Sequence, residues 1–174
     1  MWANAFLQQA QSDWQMWQHI RDQKLPACHA LHYLQMTSEK LGKAFLIAGG
    51  NITPQKAAAS HVAFTRFLQV ASRNPALQKL LHMTPKQLRA HIKSMLPIAE
   101  SIERLTPSLA KGGPNVEYPW ESPDKSIQIP VNYTFPAILK FRESPGMNLL
   151  KMVNIVQEHF YHLFTKSHKP TAQN

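Results

Sequence analysis

At 174 residues the chain is long enough for one domain with a real core and too short for two. Its composition, 44% hydrophobic and 17% charged with a mean hydropathy of −0.32, is that of a soluble globular domain and excludes a largely disordered chain. No run of about 18 apolar residues is available to span a membrane, a single cysteine, Cys28, excludes an internal disulfide, and 19 basic against 10 acidic residues leave a net charge of +9.

The first stretch, "MWANAFLQQAQSDWQ", has no basic region ahead of its apolar residues, and the apolar run breaks at Gln8. A secretory signal is therefore not expected, and with a lone cysteine the expected compartment is the cytoplasm. The pattern predicts a first helix over about residues 3–24. A second follows over about 26–48, opened by Pro26 and stopped by Gly49-Gly50.

Placing the second helix at 100° per residue puts Ala27, Leu31, Leu34, Ser38, Leu41 and Phe45 in one arc, the expected core stripe. His32, Glu39 and Lys43 fall well over 100° away, within about 40° of one another. They read as a solvated ridge carrying a surface ion pair between Glu39 and Lys43. Tyr33, Met36 and Ile47 beside the ridge make that face partly apolar, which predicts a second packing surface such as a dimer contact.

Four times a capping residue stands directly before proline: Thr53-Pro54, Asn74-Pro75, Thr84-Pro85 and Ser144-Pro145. Proline loses no hydrogen bond at the first helical position, and the residue before it can accept one from an exposed amide. These pairs predict helices over about 54–72, 75–82, 85–105 with a kink at Pro97, and 145–166. Residues 106–144 hold six of the 13 prolines and Gly112-Gly113, a stretch that cannot continue a helix. Within them "SIQIPVNYTF" alternates, placing Ile127, Ile129, Val131, Tyr133 and Phe135 on one side of an edge strand or proline-stiffened arm.

The fold expected is thus all-α: a five-helix up-and-down bundle with a long proline-rich insertion, a short β arm or a proline-stiffened one, before the last helix. Residues 1–166 form one domain with the insertion at 106–144, and 167–174 form a flexible tail.

Signatures of common chemistry are missing: no Gly-rich phosphate loop, no cysteine pair at zinc spacing, no HExxH and no GxSxG. His29/His32 and His159/His162 share helix faces, but nine histidines produce such spacings readily, so surface or capping roles are expected and no metal or cofactor is assigned. His61 and Arg66 pair an imidazole with a guanidinium, the groups a ribonucleolytic site uses for proton transfer and phosphate stabilisation. Five residues apart on one helix, they do not share a face. His32 with Glu39 is the other candidate acid–base couple. Residues 61–111 contain eight basic and two acidic residues, and Arg66, Arg73, Lys79, Lys86, Arg89 and Lys93 are the expected phosphate contacts.

"ACHALHYLQMTSEKLGKAFLIAGG", preceded by a Trp-rich helix with Asp13-Trp14, resembles the second helix of the HEPN superfamily (higher eukaryotes and prokaryotes nucleotide-binding) through Glu39-Lys40 and Lys43-Ala44. The resemblance covers about the first 70 residues. It implies a helical bundle that commonly dimerises and an RNA-related role, often in toxin–antitoxin or antiviral systems. Many members are metal-independent ribonucleases whose motif is an arginine followed by histidine after four to six residues. None of Arg21, Arg66, Arg73, Arg89, Arg104 or Arg142 has a histidine at that distance, so the resemblance implies the fold more than the nuclease. The expectation is a non-catalytic module, homodimeric, that binds RNA or a protein partner. A ribonuclease with a non-standard site and a purely structural interaction protein are the alternatives.

Overall fold

The computed structural model describes residues 1–164, and the tail expected at 167–174 lies outside the described residues. Helix α1 spans Trp2–Asp22 and α2 spans Ala27–Ala48. They pack as an antiparallel hairpin, with Asp13 meeting Lys40 and Phe6 meeting Lys43. There follow α3 (Pro54–Ala58), α4 (Ala63–Ala71), α5 (Pro75–Leu80) and α6 (Pro85–Glu103). The remainder comprises α7 (Pro107–Ala110), a two-stranded antiparallel ladder of β1 (Trp120–Glu121) and β2 (Ile127–Gln128), α8 (Pro136–Lys140) and α9 (Ser144–Glu158). The described residues are therefore all-α apart from this small ladder. None of the described helices is long and apolar enough to cross a membrane.

The proline-led starts act locally as the sequence dictates. Thr53 accepts from the Lys56 amide, Asn74 from the Leu77 amide, and Thr84 forms a reciprocal capping box with Gln87. At Ser144-Pro145 the helix begins one residue earlier, with Glu143 as the cap residue and no side-chain cap bond. Helix α2 stops where Gly50 takes a φ of +68°, so that the Gly50 amide reaches Ile47 O and the Asn51 amide reaches Leu46 O. Helix α6 runs unbroken through Pro97, which sits on its exposed side.

The main core is built around α2. Leu34, Leu41, Ala44, Phe45 and Leu46 are buried against Leu7, Ala10, Trp14 and Trp17 of α1, Phe64, Phe67 and Leu68 of α4, Met95 and Ile98 of α6, and Leu149, Met152 and Val156 of α9. A second cluster lies under the insertion, where Val116, Trp120, Phe135 and Ala137 cover Cys28, Leu31 and Leu105. The insertion is thus held on the N-terminal half of α2 by its own small core.

Three expectations change. The helix expected over 54–72 is two helices, interrupted at 59–62, so His61 lies in a break between α3 and α4. The break lets α4 approach α2 very closely: a Cβ on Gly42 would stand 2.5 Å from the Ala63 carbonyl oxygen. The proline-rich stretch contains short helices, because Pro107 and Pro136 each occupy a first helical turn. Its alternation does not give one apolar face either: Ile127, Ile129 and Val131 are exposed, a 3-10 turn at Pro130–Asn132 breaks the strand, and only Tyr133 and Phe135 turn inward.

The second helix differs most. Ala27 of the expected core stripe is exposed, whereas Lys43 of the expected solvated ridge is 5% exposed. Helix α2 is enclosed on nearly every side by α1, α4, α6, α9 and the insertion, so a polar ridge on it becomes an interior polar seam. Tyr33 packs on the main core from within the same chain.

Candidate nucleic-acid interface

The charge of the molecule is more localised than a count over residues 61–111 reveals. From Lys40 to Ala99 the chain carries nine basic residues and no Asp or Glu, so this stretch holds a charge equal to the whole net +9. Lys40 and Lys43 are neutralised by Asp13 and Glu39 at 2.5 and 2.6 Å. The other seven, Lys56, Arg66, Arg73, Lys79, Lys86, Arg89 and Lys93, are exposed, and among the described residues none is in an ion pair. Lys86, Arg89 and Lys93 recur at i, i+3 and i+7 on α6 and so form one outward stripe.

Arg66 and Arg73 are set apart from that stripe. Arg66 and Gln69 on α4 and Arg73 in the turn that follows it line a cleft of about 560 Å³ shared with Asn51, Asn74 and Phe164. The Arg66 guanidinium donates to Asn51 O at 3.1 Å, and Asn74 is held by its cap bond and by donation to Leu163 O. Among the described residues no acidic side chain lines this cleft.

The candidate acid–base residues are brought together in couples other than those the sequence proposed. His61 Nδ1 stands 3.5 Å from Glu39 Oε2, while Arg66 turns to Asn51. Glu39 also accepts from Gln35 Nε2 at 3.0 Å and from Lys43 Nζ at 2.6 Å. His32 does not meet Glu39; its Nδ1 lies 3.7 Å from the Glu117 carboxylate of the insertion. The result is a carboxylate seam along α2 with a half-exposed imidazole at its mouth.

Sequence reasoning passed over Glu103. Its carboxylate accepts from the Phe64 amide at 2.8 Å, the Thr65 amide at 3.0 Å and Thr65 Oγ1 at 2.9 Å, so the last residue of α6 caps α4. Burial raises its carboxyl above the ordinary 4.5 and nearby Glu39 acts in the same direction, against the lowering by these bonds. No local sequence signal marks a cap supplied from 38 residues away. Burial likewise raises the Cys28 thiol and lowers the His91 imidazole.

His29 is exposed on the outside of α2 and His159 is exposed at the end of α9. Among the described residues no group of three His, Cys, Asp or Glu side chains is placed to hold a metal ion. The chain has no significant match to a protein-family model, to a curated protein or to a solved structure.

Proposed function

We propose that the chain is a non-catalytic, HEPN-like nucleic-acid-binding module, acting on RNA, that works as a homodimer in a toxin–antitoxin or defence setting. The observation that carries the binding is the acid-free stretch from Lys40 to Ala99, seven of whose nine cations are exposed and unpaired among the described residues. Free cations release condensed counterions when they meet phosphate, which is the main source of affinity in non-specific nucleic-acid binding. Solubility alone does not ask for this arrangement, since basic and acidic residues balance in the rest of the chain. The resemblance of α2 to HEPN proteins supports RNA over other polyanions and supports the dimer.

Titration of labelled RNA and DNA oligonucleotides at several salt concentrations tests the reading. Binding that weakens steeply with salt, more so for RNA, is expected; no binding to either at about 50 mM salt rejects it.

The half-exposed His61 against Glu39 favours a second reading, a metal-independent ribonuclease, because a carboxylate beside Nδ1 orients an imidazole for proton transfer. Cleavage of RNA in chelator that disappears in His61→Ala would establish it; intact RNA after prolonged incubation rules it out.

A further inference from the structure

We infer that the cleft lined by Arg66, Gln69 and Arg73 is a site for a phosphomonoester, the terminal phosphate of a nucleic-acid strand or of a free nucleotide. The inference deepens the nucleic-acid reading proposed above and rests on it only for the strand-end source. Its volume of about 560 Å³ suits a group of nucleotide size. Its charge is one-signed among the described residues: two guanidiniums and amides line it, and no carboxylate.

The donors are matched to a dianion rather than to a diester. A phosphomonoester carries about −1.5 to −2 at pH 7 and presents three acceptor oxygens, so two guanidiniums balance it, whereas an internal diester carries a single negative charge. Arg66 is steadied by its bond to Asn51 O. Arg73 and Gln69 make no side-chain hydrogen bond among the described residues and keep their donors for a ligand. Phe164, tilted against Phe160 and edge-on to Phe45, supplies an aromatic wall to the same cleft. A planar base beside the phosphate would find an apolar surface there. The stripe on α6 lies on an exposed helix face and offers two lysines and one arginine, contacts suited to an internal backbone.

The test compares one RNA oligonucleotide with a 5′-phosphate and with a 5′-hydroxyl, together with a nucleoside 5′-monophosphate, against the wild type and an Arg66→Gln/Arg73→Gln variant of unchanged thermal stability. The expected result is a preference of about tenfold for the phosphorylated strand, abolished in the variant, with the monophosphate competing at the same site. Equal affinity for both strands and no binding of the monophosphate, or a preference that persists in the variant, overturns the inference and leaves general nucleic-acid binding intact. Binding of the monophosphate alone, lost in the variant, upholds the site, assigns it to a free nucleotide and removes the nucleic-acid reading instead.

Discussion

The Lys43 ammonium lies 2.6 Å from the Glu39 carboxylate inside the molecule, with the lysine side chain 7% and the glutamate side chain 13% exposed. The pair looks like a surface i,i+4 bridge in sequence but is desolvated, and that reverses its energetics. Burial of two charges costs about as much as their attraction returns, while removal of the lysine leaves the enclosed carboxylate with only Gln35 and His61 beside it. Lys43→Met is therefore expected to destabilise the fold by on the order of 3 kcal/mol. The double change Glu39→Gln/Lys43→Met should recover most of that loss. Urea melts of the three proteins measure it; equal losses in the single and double variants would show that the pair is not coupled.

Gly42 sets the distance between α2 and α4. An added methyl group would meet the Ala63 carbonyl oxygen at 2.5 Å and its carbon at 2.8 Å, both backbone atoms that cannot rotate away. Gly42→Ala is expected to cost about 1–3 kcal/mol although alanine is the better helix former. A gain in melting temperature would contradict the close approach.

Glu103 makes stability depend on pH in the less usual direction. Its folded value lies above the ordinary 4.5, so between these two values the folded state holds the proton more strongly than the unfolded one. Stability contributed by this group is present at lower pH and falls as pH rises through that window. Glu103→Gln keeps an acceptor for the Phe64 and Thr65 amides and removes the titration. The difference in unfolding free energy between wild type and Glu103→Gln should shift in favour of the variant as pH climbs from 4.5; a constant difference would refute the assignment.

Cys28 is 2% exposed, at the base of the small core beneath the insertion, with its thiol raised by burial. A thiol reagent at mildly alkaline pH should react slowly with the native protein and rapidly after urea is added. Trp120→Ala removes a residue of that same core and should raise the native rate without unfolding the main bundle. An unchanged rate would mean that the insertion does not shield the cysteine.

Much of the fold is legible because its signals are local. Proline behind a capping residue marks the starts of α3, α5 and α6, and Gly49-Gly50 marks the end of α2. What escaped is non-local. The break that frees His61 accompanies a close approach of Ala63 to Gly42, 21 residues earlier in the chain, and the cap on α4 comes from Glu103. Helical periodicity identified which residues share a side of α2 but not that both sides are enclosed, so the Glu39–Lys43 ridge was assigned to solvent. The alternation of residues 127–135 likewise carried no information on Pro130 starting a 3-10 turn.

The central claim is that the acid-free stretch binds nucleic acid through its exposed cations, and salt dependence tests it most directly. The logarithm of RNA affinity should fall linearly with the logarithm of salt concentration. In the Lys86→Gln/Arg89→Gln/Lys93→Gln variant the slope should be shallower by about 2, from about 0.7 per phosphate contact removed. An identical slope in wild type and variant, or no RNA binding by the wild type at about 50 mM salt, would contradict the account.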